Sequence, residues 1–208
     1  MKINLLITIL LFSSTLIAQQ KDTKKEAVRK AYNDYKTAAL NDQGERAYSL
    51  IDQRTVDYYE QLAQRVKVID STALEERTLS DKLQILLIRS LATAEQIQAF
   101  DGKSLFVFSV DRGLIGKNST SAHLIGEVII EGNFAKGEVL NNGQPSNFYF
   151  HFYKEKEQWK FNLTALFPPT ELIFKRMQRQ SGLSEHEFLF SLIEAISQKR
   201  ANNSLWNP

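Results

Sequence analysis

Two aromatic runs on either side of a charged turn, residues 148–166, constrain the fold more than any other part of the chain. Phenylalanine occupies every second position at the start of the first run, and Trp159, Phe161 and Leu163 alternate in the same way in the second. Because successive side chains of a strand point to opposite faces, this pattern predicts two antiparallel strands with one shared apolar face. A register shift of one residue would expose one of the two apolar sets, so the pattern also predicts the register.

The predicted hairpin has a loop over Glu155–Gln158 that is closed by Lys154 and Trp159. On the apolar face, the predicted cross-strand pairs are Phe152 with Phe161, Phe150 with Leu163, and Phe148 with Ala165. On the other face, the predicted pairs are Tyr149 with Thr164, His151 with Asn162, and Tyr153 with Lys160. Each ring buried on the apolar face is expected to stabilise the fold by about 2–3 kcal/mol.

Two glycine-containing turns upstream predict two further strands. Gly132-Asn133 and Asn142-Gly143 suit tight hairpin turns, because glycine and asparagine tolerate positive φ. The pairs predicted from the first turn are Ile130 with Ala135, Val128 with Gly137, and Gly126 with Val139. The pairs extrapolated from the second turn are Gly137 with Phe148 and Ala135 with Phe150. We therefore expect a curved antiparallel meander of four strands or more, in which small residues lie beside large rings.

The same registers gather a mixed set of side chains on the face of the sheet that points away from the phenylalanines. These side chains are Ile125, Ile129, Leu140, Tyr149, His151, Tyr153 and Lys160. A sheet face that meets only water is typically charged and rich in threonine, whereas tyrosine with aliphatic residues and a charged rim is typical of protein interfaces. We expect this face to contact a second copy or another protein, or to be covered by the C-terminal helices of the same chain.

Helical patterns precede and follow the predicted strands. A capping box at Thr23–Glu26 opens the first helix, and an almost wholly apolar segment after Ser80 predicts a central, buried helix. Residues 103–112 combine strand-forming side chains with an N-cap at Asp101 and a C-terminal glycine at Gly113, and we favour a helix. A C-terminal helical extension is expected over 168–199, and residues 201–208 are expected to fray.

The first 18 residues differ from the rest of the chain. Lys2 is followed by an apolar run over 5–12 and then by the small residue Ala18, which is the pattern of a secretory signal peptide. We expect export, cleavage after Ala18, and a periplasmic or secreted protein without a stable membrane anchor. The chain contains no cysteine, so the exported protein has to be stable without disulfides.

Composition and charge limit the function. The chain is 43% hydrophobic and 24% charged, as in ordinary globular proteins, and its net charge of +2 is spread along the sequence. This gives no electrostatic reason to expect nucleic acid or an anionic membrane as a partner. The predicted α+β organisation is a signal peptide at 1–18, a cone-like domain at 19–166, a C-terminal helical extension at 167–200 and a frayed tail at 201–208.

N-terminal helices followed by a curved meander with a final aromatic strand, Gln158-Trp-Lys-Phe-Asn-Leu163, resemble the nuclear transport factor 2-like superfamily. In that family, a cone-shaped sheet wraps around a long N-terminal helix. The resemblance is one of pattern and covers residues 24–166. The helical region between Ser71 and Gly113 is longer than in the family, and the helices after Pro168 lie beyond its usual end. The family includes isomerases, dehydratases, ligand binders and partner-binding domains, so the resemblance does not select a function.

No residue pattern marks a catalytic, metal or cofactor site. Gly116-Lys117-Asn118 and Gly102-Lys103-Ser104 both lack the earlier glycine of a phosphate-binding loop. The three histidines, His123, His151 and His186, are scattered and lack the carboxylate spacing of a metal site. The sequence therefore predicts no catalytic residue, no metal and no cofactor.

The resemblance implies that an enzyme of this family holds an acid or a base inside the cone. Tyr32 and Tyr35 on the first helix, and Tyr58 and Tyr59 on a later one, are candidates to line such a cavity, and the alternative is that their rings are core. The predicted binding residues inside the cone and on the sheet face are Tyr32, Tyr35, Tyr59, Tyr149, His151 and Tyr153.

Two functions from different classes fit these patterns. The one we favour is an exported, non-catalytic binding module that holds a small apolar ligand or a protein partner, including a second copy in a homodimer. The alternative is an enzyme of the isomerase or dehydratase kind that works by proton transfer in the cone. A titratable group inside a closed apolar pocket would distinguish the enzyme from the binding module.

Overall fold

The computed structural model describes residues 3–116 and 123–207, with side chains from residue 22 onward. Lys2 of the predicted signal peptide, and Lys117 and Asn118 of a rejected phosphate-loop pattern, lie outside the described residues. The described part has the predicted α+β class: N-terminal helices, then one four-stranded antiparallel sheet, then a C-terminal helical part.

The elements follow one another in a simple order. The N-terminal helices are α1 (Ile3–Leu40), α2 (Gly44–Tyr48), α3 (Gln53–Val68), α4 (Ser71–Glu75), α5 (Leu79–Leu91), α6 (Ala94–Ala99) and α7 (Gly102–Asp111). The strands are β1 (His123–Glu131), β2 (Phe134–Asn141), β3 (Gln144–Glu155) and β4 (Gln158–Asn162), and they are neighbours in that order. The C-terminal helices are α8 (Phe167–Ser181) and α9 (Glu185–Ser197), with short 3₁₀ helices at Thr164–Leu166 and Asn203–Trp206.

The first helix, α1, is longer than predicted. It begins at Ile3, and the chain passes the predicted capping box at Thr23 without leaving the helix. The expected cleavage after Ala18 falls inside this helix, and export stays a prediction. Among the described residues, no helix is both long and apolar enough to span a membrane.

The second half of α1 lies across one face of the sheet. The Tyr32 ring stacks on Phe150 with 4.3 Å between ring centroids, and the Tyr35 ring lies 4.8 Å from that of Phe161. All four rings are buried. The face that the alternating phenylalanines predict to be apolar therefore forms the core with α1.

The hairpin of β3 and β4 has the predicted register. The observed pairs are His151–Asn162, Phe152–Phe161, Tyr153–Lys160, Lys154–Trp159 and Glu155–Gln158. The turn consists of Lys156 and Glu157, at φ 45° and 65°. It is shorter than the predicted loop over Glu155–Gln158, because Glu155 and Gln158 pair with each other. Two consecutive residues at positive φ are what a two-residue hairpin turn of the common primed type requires.

Beyond this register the prediction fails. Three expected pairs do not form: Phe150 with Leu163, Tyr149 with Thr164, and Phe148 with Ala165. The strand β4 ends at Asn162, whose side chain accepts hydrogen bonds from the Thr164 hydroxyl at 2.6 Å and from the Ala165 N–H at 3.0 Å. Because an asparagine side chain competes with the ladder for nearby backbone groups, the chain leaves the sheet here and enters a 3₁₀ helix.

Between β1 and β2, the two predicted pairs nearest the turn form: Ile130 with Ala135, and Val128 with Gly137. The third is wrong, because a register shift puts Ile125 instead of Gly126 opposite Val139. Gly137 explains the shift: the Ile125 side chain fills the space above it, and a Cβ at Gly137 would lie 2.7 Å from Ile125 Cγ1. Ile125 therefore packs towards the core, and Leu124 takes the exposed side.

The predicted pairs of β2 with β3 are wrong by two residues. The observed pairs are Gly137 with Phe150 and Ala135 with Phe152. A register shift separates them from the turn, where Pro145 lies opposite Leu140. Proline has no N–H to donate to the ladder, which favours an irregularity at this point. As a result Phe148 is 42% exposed, although the sequence predicts it on the buried face.

The outer edge of β4 is covered by the segment between α2 and α3. Ile51 forms a parallel bridge with Phe161. The Asp52 N–H donates to the Phe161 carbonyl at 3.0 Å, and the Phe161 N–H donates to the Leu50 carbonyl at 2.9 Å. These bonds protect the edge strand from pairing with other chains.

The ambiguous segment around 103–112 is the helix α7, as predicted. Its N-cap Asp101 accepts a hydrogen bond from the Ser104 N–H at 2.7 Å, and Gly113 follows its last turn at φ 70°. The central helix α5 is buried along nearly its whole length, also as predicted, although its N-cap is Thr78 and not Ser80. Capping residues thus decided the structure of a segment whose side chains favour a strand.

The helices α8 and α9 pack on α5. Glu171 of α8 accepts hydrogen bonds from the N–H groups of Leu79 at 3.1 Å and Ser80 at 2.9 Å, and so caps the start of α5. The alternative that these helices cover the far side of the sheet is wrong, because Ile129 and Tyr149 on that side are each 41% exposed.

The end of the chain is packed against the helices, and the predicted fraying of residues 201–208 is wrong for the residues up to 207 that the structure describes. Trp206 is 4% exposed and stacks on His186 at 4.3 Å between ring centroids. Arg89 of α5 donates a hydrogen bond to the Leu205 carbonyl at 3.0 Å. The buried Trp206 ring and the buried Arg89 guanidinium thus hold the C-terminal segment in place, although its sequence has no hydrophobic periodicity.

Candidate functional site

The structure brings the three predicted interior tyrosines together in the core. Tyr32 and Tyr35 are fully buried, and Tyr59 is 4% exposed. The Tyr59 ring packs edge-on against Phe106 at 4.9 Å between centroids, while the other two pack on rings of the sheet. All three side chains are part of the core, which is the alternative to a cavity lining that the sequence leaves open.

The hydroxyls of these tyrosines are poorly placed for proton transfer. Burial raises the pKa of Tyr32, Tyr35 and Tyr59 above the ordinary value of a phenol, so all three are protonated at neutral pH. Tyr32 Oη donates to the His123 carbonyl at 3.2 Å. Tyr35 Oη is buried without a hydrogen-bond partner among the described residues. The interior therefore offers apolar contact surface and one unpaired hydroxyl.

Asp52 is a fully buried acid at the start of α3. Its Oδ1 accepts hydrogen bonds from the N–H and the hydroxyl of Thr55 at 3.0 and 2.7 Å, and the same hydroxyl accepts one from the Leu163 N–H at 3.0 Å. Burial raises the pKa of Asp52, although the hydrogen bonds from Thr55 oppose the shift. The geometry assigns a structural role, since Asp52 caps α3 and ties it to the end of β4.

A surface cleft of about 480 Å³ lies beside α2 and α7. It is lined by Glu45, Asp101, Lys103, Ser104, Val107, Phe108, Asp111 and Arg112. Its charges are largely paired: Lys103 contacts Glu45 at 2.8 Å, and Asp111 accepts the Gly44 N–H at 2.9 Å. The rejected phosphate-loop pattern at 102–104 lies here, and the Asp101 carboxylate already caps that helix. In the described ranges, no three potential metal ligands cluster together.

Three predicted binding residues lie together on the side of the sheet that faces away from α1, which we call the outer face. They are Tyr149, His151 and Tyr153, and Phe134 lies between the last two, with ring centroids 5.2 Å from His151 and 5.3 Å from Tyr153. The Arg54 guanidinium lies 3.5 Å from the Tyr153 ring centroid. The centre of the outer face is thus an aromatic cluster with one cation stacked on its border.

Aliphatic and charged side chains surround this cluster. Ile129 and Tyr149 are each 41% exposed, and Leu124 is 51% exposed. Lys136 Nζ lies 5.5 Å from the Tyr149 ring centroid. Burial, and then the charge of Lys136, lower the pKa of His151, so its ring is neutral at neutral pH. The outer face therefore presents apolar and aromatic surface, and Lys136 lies within it, opposite Ile129 on one neighbouring strand and His151 on the other.

The structure corrects the predicted membership of the outer face in two places. Ile125 is not part of it, because the shift in β1 puts Leu124 there, opposite Leu140. Phe134 is part of it, although the predicted set does not include this residue. Strand alternation could have identified Phe134, since it lies two residues before Lys136, directly after the first turn. The residues of the turns, in contrast, do not predict the register shift in β1.

Comparison of this chain with models of protein families, with curated proteins and with solved structures found no match. The resemblance to the nuclear transport factor 2-like superfamily therefore stays a prediction from the residue pattern. The functional conclusion depends on the geometry of the sheet and on what its two faces present.

Proposed function

We propose that the protein is an exported, non-catalytic interaction module that binds a protein partner with the outer face of its sheet. The observation that carries this proposal is the exposed aromatic and aliphatic surface around Ile129 and Tyr149, each 41% exposed. Exposed tyrosine beside exposed aliphatic side chains is typical of protein interfaces. The partner is a second copy of the chain or a different protein.

The packing of α1 on the other face of the sheet favours the outer face over the interior. A small apolar ligand would need space where Tyr32 and Phe150 stack at 4.3 Å. Proton transfer in the cone would need a group whose pKa lies near neutrality, whereas burial moves the pKa of Tyr32 and Tyr35 away from it. Both the ligand-binding variant of the prediction and its enzymatic alternative therefore have less support than a partner on the outer face.

The test is a double substitution at the centre of the exposed surface, Ile129→Glu with Tyr149→Glu. Two carboxylates in a desolvated interface are strongly unfavourable, so we expect partner binding to weaken by at least about 100-fold. Because both side chains are substantially exposed, the free energy of unfolding should change by about 1 kcal/mol or less. Light scattering reports a second copy, and affinity capture of the tagged full chain reports a different protein.

The matched control is Gln64→Glu with Val68→Glu, which adds the same charge to an exposed part of α3. Val68 is 72% exposed and lies away from the sheet. This control should keep the oligomeric state and the captured protein of the wild type. If the outer-face variant keeps both as well, while its unfolding curve shows a folded protein, the proposal is wrong.

A further inference from the structure

The helix α8 is held on α5 by one side only. Glu171 accepts hydrogen bonds from the N–H groups of Leu79 and Ser80 and from the Ser80 hydroxyl, at 3.1, 2.9 and 2.7 Å. The Phe167 ring, at the start of the same helix, packs on Tyr58 with 4.6 Å between centroids. These contacts determine which side of α8 faces α5. No residue of α8 is buried.

The opposite side of α8 is apolar and exposed. Leu172 is 67% exposed, Ile173 48% and Met177 41%. At 3.6 residues per turn these three side chains lie within about 140° of the helix circumference, on the side away from Glu171. We call this set, with the basic residues next to it, the α8 face.

The exposed charges on this side of α8 all have one sign, and at 100° per residue Arg176 lies between Leu172 and Ile173 on the helix circumference. Lys175, Arg176 and Arg179 are exposed, and Lys175 contacts Glu171 at 3.2 Å. Arg176 and Arg179 form no ion pair with any described residue. Glu171, the only acid in α8, is committed to capping α5. The α8 face is therefore apolar and cationic, although the whole chain has a net charge of only +2.

We propose that the α8 face is a lipid-contact site, by which the protein lies reversibly on an anionic membrane surface. An amphipathic helix with aliphatic residues on one side and lysine or arginine beside them binds the boundary between headgroups and acyl chains. The apolar side chains enter that boundary, and the arginines contact lipid phosphates.

The residue types on the α8 face favour lipid over the other two occupants. A second copy would bring the exposed arginines of two α8 helices together, and like charges at a contact are unfavourable. A protein partner typically meets aromatic anchors, which the outer face of the sheet has, whereas the exposed apolar residues of α8 are all aliphatic. Aliphatic side chains that insert into a bilayer, and cationic side chains that contact its headgroups, do not need a partner of complementary shape. A fluid bilayer meets this condition.

The experiment measures sedimentation of the predicted mature chain with two kinds of vesicle, one containing phosphatidylglycerol and one of phosphatidylcholine alone. The wild type should bind the anionic vesicles at least about tenfold more tightly, and added salt should reduce the difference. Arg176→Glu with Arg179→Glu should weaken binding to anionic vesicles by about 25-fold or more. Leu172→Ser with Ile173→Ser should weaken it as well, since it removes apolar insertion.

The matched control reverses two exposed charges away from α8, Arg46→Glu with Lys156→Glu, and should bind anionic vesicles within about threefold of the wild type. The wild type and all variants are compared from Gln19 onward, the predicted mature start, so that a difference in binding reports the substituted residues. Equal binding by the wild type and the arginine variant would overturn the proposal. Light scattering that shows a dimer in the wild type and a monomer in the Leu172→Ser, Ile173→Ser variant would also overturn it, in favour of a second copy.

Discussion

Alanine at position 161 is expected to lower the free energy of unfolding by about 3–5 kcal/mol, the range for removal of a buried aromatic ring. Phe161 is fully buried, and its ring centroid lies 4.8 Å from that of Tyr35 and 5.4 Å from that of Phe152. The rings around it belong to α1 and to β3, so a cavity here loosens the contact between helix and sheet. Denaturant unfolding, followed by tryptophan fluorescence, measures the change.

The matched control is Phe148→Ala in the same hairpin. The alternating sequence predicts Phe148 on the same buried face, but the register shift beside Pro145 leaves it 42% exposed. Its truncation should lower the free energy of unfolding by about 1 kcal/mol or less. Equal losses for the two variants would show that Phe148 is buried in the folded protein and that the shift in β3 is wrong.

Replacement of Arg89 by methionine is expected to lower the free energy of unfolding by about 2–4 kcal/mol, because buried carbonyls lose their donors. The guanidinium donates to the Val66 carbonyl at 3.2 and 3.1 Å, to the Ile69 carbonyl at 2.7 Å and to the Leu205 carbonyl at 3.0 Å. Burial lowers the pKa of Arg89, yet an arginine remains protonated in a protein, so all of its N–H groups stay available.

The Arg89→Met variant also allows the packing of the C-terminal segment around Trp206 to be measured separately from the free energy of unfolding. Methionine keeps much of the arginine stem, so the lost hydrogen bonds dominate the change. Trp206 should become more exposed, which a red shift of its emission would report, because the Leu205 carbonyl is no longer held. Arg77→Met, at an exposed site, should stay within about 0.5 kcal/mol of the wild type. A loss below about 1 kcal/mol for Arg89→Met would contradict the role given to this guanidinium.

Local patterns were sufficient where one residue type decides the structure. Alternation predicted Phe150 and Phe152 on the buried face of β3, though not the exposure of Phe148, and Asp101 with Gly113 predicted a helix against the strand preference of the residues between them. The predicted registers are wrong where a contact between residues distant in sequence determines the strand pairing. Ile125 occupies the space above Gly137, and this contact shifts β1 in a way that no turn rule contains.

The candidate site was predictable in part for the same reason. Tyr149, His151 and Tyr153 share a face because strand alternation is local, and the structure keeps them together. The packing between α1 and the sheet was not predictable, since only the position of α1 on the sheet decides whether Tyr35 lines a cavity or fills it. The exposed apolar side of α8 could not be predicted from the sequence either. It depends on which side of that helix Glu171 holds against α5.

The most direct test of the proposed interaction module is photo-crosslinking in the cell that makes the protein, with a photoreactive phenylalanine analogue at position 149. Tyr149 lies at the centre of the exposed outer face, and Gln64 provides an exposed control position on α3. We expect one discrete crosslinked species from position 149 and none from position 64. No crosslinked species from position 149, or the same species from both positions, would contradict the proposal.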